Sequence, residues 1–317
     1  MRLDRFAFYA QDEWQASPIF SLYTGLRYEQ LDWDIDDGAA PVNFKAGIYS
    51  PIIQALWKPT ALAGYQIRAA LNRTYRPPAL ALLTRVDKLE VNNSPANPDN
   101  VGNQNLRPEI ANGIDVAVEK FAAGGTAISL SAYAKRINNE IGNELRNKEG
   151  RWILVPVNAG DARMHGAEFE LKRRFSDLLL KTDALDLRMS LSINRSRTSN
   201  VKQHRASISD QVPLSALLSA DYRRSSTLSI GTLVTHRQRS ATWLTDDLHL
   251  QKSGATTVDF YVKKGISNGI TLRFNLSAPI NSENTTQFSY VGQPYSSLRT
   301  LTYHNNTTVR LNLDVKL

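Results

Sequence analysis

The closing stretch of the chain places Val309, Leu311, Leu313, Val315 and Leu317 at every second position, with Arg310, Asn312, Asp314 and Lys316 between them. Successive side chains of an extended strand point to opposite faces, so this segment is a ribbon with one apolar and one polar side. A soluble sandwich buries such an apolar side in a core. A membrane barrel turns it to lipid and sets the polar side against a wet lumen. The period alone does not choose between them; the number of ribbons and their connections must.

The same alternation recurs along the chain. Strands are predicted over residues 4–14, 19–31, 44–57, 63–75, 108–120, 126–138, 162–175, 183–196, 213–223, 227–237, 255–264, from Ile270 to about 278, and from 306 to the end, thirteen in all. Pro51 predicts a bulge in the third. The connections alternate too. Short turns such as Ala16-Ser17-Pro18, Ala122-Ala123-Gly124-Gly125 and Ser267-Asn268-Gly269 take turns with long segments at 32–41, 76–107, 139–161, 197–212, 238–254 and 279–305. Asn147-Lys148-Glu149-Gly150 suggests a small hairpin inside the segment 139–161. No stretch reads as an amphipathic helix.

An all-β meander with every long connection at one end is the pattern of a transmembrane antiparallel up-and-down β-barrel, with short turns on the periplasmic side and long loops outside. Trp14, Phe175 and Tyr222 end their strands beside short turns on the apolar face, where a ring with an apolar body and a polar tip suits the lipid–water boundary. Mean hydropathy of −0.35 and the lack of a run of ~20 apolar residues argue against membrane helices, a test that a β-barrel escapes. With no cysteine there is no disulfide framework or thiolate metal site. The net charge of +8 comes without a Lys/Arg block of the kind that binds nucleic acid.

Counting strands back from the end makes the first one descend, so the thirteen begin outside the cell, whereas a complete bacterial barrel has both ends in the periplasm. The start, Met1-Arg2-Leu3-Asp4-Arg5, carries no secretion signal. The expectation is that residues 1–317 are the C-terminal portion of a larger barrel.

Four stretches, together with the closing strand, resemble the C-terminal half of TonB-dependent outer-membrane receptors. They are Tyr9-Ala10-Gln11-Asp12-Glu13-Trp14 followed by Thr24-Gly25-Leu26-Arg27-Tyr28-Glu29; Asn72-Arg73-Thr74-Tyr75-Arg76-Pro77-Pro78; Asn103-Gln104-Asn105-Leu106-Arg107-Pro108-Glu109; and the segment from Asn158 to Glu170 with Gly160, Gly166, Glu168 and Glu170 in place. The resemblance implies a 22-stranded barrel filled by an N-terminal plug, of which this chain supplies the last thirteen strands. It also implies energy from TonB through a TonB box, and import of a ferric siderophore or of haem, cobalamin or a glycan. The plug and TonB box are outside this sequence, and the last residue is Leu317 where the family usually ends in Phe.

Recognition of an anionic iron chelate calls for planar cationic donors and aromatics on the long loops. Candidates are Arg73, Tyr75, Arg76 and Arg85 by the longest loop; His236, Arg237, Arg239 and Trp243 around another; and Tyr290 and Tyr295 on the last. Contact with outer-membrane lipid and anionic lipopolysaccharide is the competing use of the same side chains. The five histidines show no metal-ligand spacing, Glu168, Glu170 and Lys172 read as a lumenal charge ladder, and no nucleophile motif or phosphate loop is present, so neither an enzyme nor a bound cofactor is expected, iron entering only as cargo. Rival readings are a passive porin or adhesin barrel and a soluble carbohydrate-binding β-sandwich.

Overall fold

The computed structural model describes residues 2–35, 42–84, 89–293 and 296–315. Its strands are β1 (Arg2–Ser17), β2 (Phe20–Ile35), β3 (Val42–Trp57), β4 (Tyr65–Arg76), β5 (Asp99–Asn100), β6 (Glu109–Ala122), β7 (Thr126–Lys148), β8 (Arg151–Ser176) and β9 (Ala184–Thr198). They continue as β10 (Leu214–Arg223), β11 (Leu228–Arg237), β12 (Ser240–Trp243), β13 (Leu248–Lys252), β14 (Ala255–Ser267), β15 (Ile270–Pro279), β16 (Glu283–Val291), β17 (Ser296–His304) and β18 (Thr308–Val315). One four-residue helix, α1 (Leu80–Leu83), interrupts the longest loop.

Thirteen strands form a single antiparallel meander in the order β1-β2-β3-β4-β6-β7-β8-β9-β10-β11-β14-β15-β18, with β1 and β18 as the edges of the described sheet. These are the thirteen ribbons that the alternation predicts. Residues paired across an antiparallel ladder share a face, so the register carries the apolar side from strand to strand. One rung runs Ile67, Val118, Leu130, Phe169, Leu191, Ala216, and another Tyr222, Ile230, Val262, Phe274, Leu311. Leu130 is 57% and Leu311 65% exposed, so this face has no protein layer over it and is the lipid-facing side.

The opposite face is polar and internally paired. Arg68 and Gln66 donate to Glu119, Asn72 to Asp115 at 2.6 Å, Tyr133 to Asn194 at 2.6 Å and Tyr261 to Asp221 at 2.6 Å. Lys172 lies 3.7 Å from Glu170, the charge ladder read from the sequence. Trp14, 60% exposed, sits on the apolar face beside the short turn that joins β1 to β2. Phe175 and Tyr222 both face Leu185, and Tyr222 donates to Asp183 in the turn below at 3.0 Å. Phe6 is eight residues above Trp14 on the same face. That is ~26 Å along a strand, or roughly 20 Å of height at a tilt of ~40°, close to the ~25 Å apolar band of such barrels.

The structure departs from the sequence expectation in three places. Pro51 makes no bulge: β2 and β3 stay in register through Leu26↔Pro51, and Pro51 instead stands just past the last β3–β4 pair, Ile52↔Asn72, where a residue without an N–H is tolerated because that ladder has ended. Residues 139–161 hold the expected hairpin at 147–150, closed at Lys148↔Arg151 with Glu149 and Gly150 both at positive φ (53° and 82°), but the rest is not loop: it is the upper halves of β7 and β8. The segments 238–254 and 279–305 hold a four-stranded sheet, β12-β13-β16-β17. It continues the last four wall strands, β11, β14, β15 and β18, above a line of breaks at 238–239, 253–254, 280–282 and 305–307.

Candidate ligand-recognition site at the extracellular mouth

Above the wall, the long connections fold together into one cap. The loop between β4 and β6 is rich in asparagine, and the structure gives several of these side chains a task. Above Ala162, β8 loses β9 as a partner, and the loop takes over part of its hydrogen bonding. β5 pairs in parallel with Ile153 and Leu154, and the Val101 amide donates to the Leu154 carbonyl. Asn93 forms a two-way bridge to the Trp152 backbone at 2.8 Å each way. Asn103 donates to the Pro156 carbonyl at 2.9 Å, and Asn158 of β8 returns the favour to both backbone groups of Arg107, at 2.7 and 3.0 Å. An asparagine amide has the donor and acceptor of a peptide unit, so it can extend a ladder where the backbone is out of register.

Charge fixes the far end of this loop. Asp99 is 1% exposed, and its carboxylate accepts from Nε and Nη2 of Arg151 at 2.7 and 2.9 Å and from the Glu90 amide at 2.7 Å. The Arg151 hydrogen bonds outweigh the opposing effect of burial and hold its pKa at about 2. The near end is apolar. Leu83 and Leu106 pack on Leu31, Trp33 and Ile48 of the inner wall.

A second cluster ties the four-stranded sheet to the same assembly. Leu244, Leu248, Leu250 and Tyr290 pack with Ala96 of the loop and with Leu145, Trp152 and Leu154 of the β7–β8 hairpin. The chain after β9 is clasped to the sheet by Asp246, which accepts from the Lys202 and Gln203 amides, and by the His204 ring stacked on Trp243 at 3.8 Å. His249 lies 5.0 Å from the same Trp243 ring, and burial followed by the charge of His204 pushes its pKa down.

Beneath the cap, a buried carboxyl faces the top of the lumen. A bulge between Ile137 and Ile141, with Asn139 at φ 56°, turns Glu140 inward, where it is 4% exposed and held by the Thr198 hydroxyl. Burial pushes its pKa up; Thr198 opposes this, and the neighbouring Glu109 adds to it. Glu109 itself is satisfied by Arg76 at 2.5 Å and by the Ile141 amide at 2.8 Å.

The sequence-predicted residues are distributed among these parts. Arg76 is committed to Glu109, and Tyr75 packs on the Leu31–Trp33 cluster and hydrogen-bonds Glu29, which also binds Arg5 and Arg27. Tyr290 is buried in the second cluster 5.3 Å from Trp152, and Trp243 is half-buried between two histidines. Arg73 shares the lipid-facing side with Leu71, and His236 shares it with Val234, its Nδ1 2.8 Å from the Thr256 hydroxyl. Arg237 is exposed on the lumenal side opposite Ser215 and Ala255, and Arg239 is exposed at the break between wall and cap. Arg85 and Tyr295 lie outside the described residues. Asp99, Arg151, Glu140 and His204 escaped the sequence reading; an isolated charge in a loop gives no sign of its partner.

The chain matches the family profile described as "TonB dependent receptor-like, beta-barrel" over residues 1–277. No curated protein matches it in sequence. Among solved structures it is similar to the copper transporter OprC (TM-score 0.69, 14% identity, 99% of this chain and 49% of that one). It is also similar to the FrpB iron transporter from Neisseria meningitidis (0.64, 16%, 98% and 45%) and to the ferric enterobactin receptor PfeA from Pseudomonas aeruginosa (0.62, 17%, 87% and 39%). The chain thus spans about half or less of the proteins whose wall it shares. Its lipid-facing apolar side, its thirteen-strand meander and that profile match agree that this bacterial outer-membrane chain belongs to the TonB-dependent receptor β-barrel family.

Proposed function

We propose that the chain forms wall and extracellular mouth of a TonB-driven importer for a ferric siderophore or a closely similar metal chelate. The observation that carries this reading is the cap. Four long connections meet in one apolar cluster, a second cluster seats the β4–β6 loop on the wall, and an asparagine ladder ties that loop to β8, above a wall whose inner face is polar and paired. A mouth organised in this way suits capture of a scarce solute better than free diffusion. Iron, siderophore and copper transporters among the structural neighbours favour a metal chelate as the cargo. Arg237, Arg239 and Trp243 are the candidates that remain exposed or half-buried at the mouth, and with His204 stacked on Trp243 they suit an anionic, aromatic-bearing chelate.

The test is uptake of radio-iron by iron-starved cells with and without the gene, supplied in turn with catecholate, hydroxamate and carboxylate chelates, haem and cobalamin. Gene-dependent uptake of one iron chelate that disappears when TonB is removed is the expected result. Uptake of small unrelated solutes that ignores TonB would instead identify a passive pore.

A further inference from the structure

The turn from β8 to β9 carries a feature that import does not explain. Residues 177–183 read Asp-Leu-Leu-Leu-Lys-Thr-Asp, in contrast to the tight turns at 18–19, 123–125 and 268–269 of the same end. Leu178, Leu179 and Leu180 are all exposed, Leu179 at 75%, and they join neither apolar cluster of the cap.

Asp183 decides which way they face. It continues the lipid-facing row Leu185, Leu187 and Met189 of β9, and its carboxylate accepts from the hydroxyl of Tyr222, whose ring lies on that same side. The Leu178, Leu179 and Leu180 amides converge on this one carboxylate. The segment is therefore folded against the outer side of the wall rather than hung beneath the lumen. With the three N–H groups turned in to a buried Asp183, the three side chains are turned out.

The satisfied amides also identify the medium. A turn in open water can leave its N–H groups to solvent. At the edge of hydrocarbon, irregular backbone is tolerated only where the protein itself meets its polar groups. Arg173, Lys181 and Arg224 stand around the turn, exposed and without an ion-pair partner among the described residues, and Asp177 is the exposed acid beside them. The Arg173 guanidinium lies 4.5 Å over the Phe175 ring, two residues nearer the turn. An apolar stem that lowers its charged head in this way suits the level where acyl chains meet phosphates. Leucines on one side and cations at the rim are the make-up of a segment that lies in a membrane interface.

We propose that residues 177–183 are a membrane anchor: Leu178, Leu179 and Leu180 insert among the acyl chains of the inner-leaflet phospholipids beside the wall, and the Asp183 carboxylate holds the turn in the inserting shape. The lipid-facing surface thus continues past the last strand residues on this side of the barrel.

The chain has no cysteine, so a nitroxide can be placed at single sites of the whole chain folded into phosphatidylcholine–phosphatidylglycerol vesicles. Its collisions with oxygen, which concentrates in hydrocarbon, are compared with its collisions with a nickel chelate, which stays in water. A label at Leu179→Cys should read like one at Leu130→Cys on the lipid-facing wall, and unlike one at Ala123→Cys in the exposed β6–β7 turn. Half of the full transfer value for each of Leu178 and Leu180 amounts together to at least about tenfold in favour of hydrocarbon. The Leu178→Gln/Leu180→Gln pair should therefore weaken insertion by at least that factor and move the label at 179 towards the reading at 123. That pair keeps the backbone bonds to Asp183, and an unchanged reading for a label at 130 in the same background shows that the wall has folded. A label at 179 that meets the nickel chelate as freely as one at 123 would overturn the anchor and leave the leucines as a docking patch for a periplasmic protein. An inserted label that stays inserted in the glutamine background would overturn the role given to the leucines.

Discussion

Replacing Gly231 with alanine should destabilise the wall by breaking a hydrogen bond that passes over it between the strands on either side. Gly231 of β11 is the middle member of the rung Asp221↔Gly231↔Tyr261, and Tyr261 lies across it to donate to Asp221 at 2.6 Å. A Cβ at Gly231 would stand 2.3 Å from Tyr261 Cε1 and 2.5 Å from Asp221 Oδ1, so the ring must move by about 1 Å to reach ordinary contact distance. A shift of that size breaks the hydrogen bond. Losing a bond to a charged acceptor costs ~1.5–3 kcal/mol and overpacking ~1–3 kcal/mol. The stiffer unfolded chain returns only ~0.4–1 kcal/mol, since Gly231 has no positive φ for alanine to strain. The net loss is therefore about 3 kcal/mol. Urea titration of the chain folded into phosphocholine vesicles, followed by tryptophan fluorescence, measures it. The informative variant is the double one. With Tyr261→Ala already present, Gly231→Ala has nothing to collide with except the tip of Asp221, so its cost should fall by at least ~1 kcal/mol. If the two losses simply add to within ~0.5 kcal/mol, the ring is not what fills the glycine's space and the reasoning fails. Gly166 repeats the arrangement between Tyr133 and Asn194, but there the added Cβ also meets the Ile193 carbonyl at 2.6 Å, so removing the tyrosine should rescue it less.

Other consequences are local. Arg151→Ala leaves the buried Asp99 carboxylate without its cation and should loosen the loop; faster cleavage of residues 89–107 by a dilute protease than in wild type reports it. Since Asp99 titrates at about 2 in the fold against an ordinary 3.8, its contribution is complete above pH ~4 and disappears as pH falls towards 2. Pepsin should then cut this loop faster across that window in wild type, and at a nearly constant rate in Asp99→Asn. At the other end of the wall, Asp183 gathers the Leu178, Leu179 and Leu180 amides at 2.7, 2.9 and 3.1 Å and the Tyr222 hydroxyl, so Asp183→Ala strands four donors and should lower the thermal midpoint by several degrees in a heat-modifiability gel.

How much of this is legible in sequence depends on what enforces the pattern. Along the wall, lipid on one side and water on the other impose alternation on every residue, so Phe6 to Trp14 and Val309 to Val315 announce themselves and all thirteen ribbons are found. Above the membrane that constraint ends. Residues 139–161 remain strand, yet both faces there meet polar surroundings or the cap, and the two-residue period fades. In the outer sheet, Leu248 and Leu250, and Phe288 and Tyr290, keep the period for only two turns of the pleat, too short to stand out from a loop. The asparagines of 92–105 are visible, but their partners are fixed by the register of β8, which no local signal contains. The rung of Arg136, Arg163 and Arg197 across β7, β8 and β9 is the sharpest case. Each looks like an ordinary strand-end cation, and only the ladder reveals that they meet.

The wall and the cap are consequently held by different means, and this bears on transport. Wall strands are joined by backbone ladders whose opening would expose peptide groups to hydrocarbon, at several kcal/mol each. The cap is held by side-chain-to-backbone bridges and two small apolar clusters, in water, where a broken hydrogen bond is replaced by solvent at a net loss of only ~1 kcal/mol. Its opening free energy must be lower than that of the wall. Amide exchange should show this directly: Val101, Arg107 and Trp152, whose N–H groups bond across the loop–β8 seam, should exchange at least ~100-fold faster than the β9–β10 ladder, a gap of about 2.7 kcal/mol. A cargo that binds the closed cap should slow those three amides while leaving the ladder unchanged, because binding energy can shift only the equilibrium in which the bound and free forms differ. Exchange of the seam in step with the wall would mean that the mouth opens only when the barrel itself unfolds, which would overturn the import role proposed above.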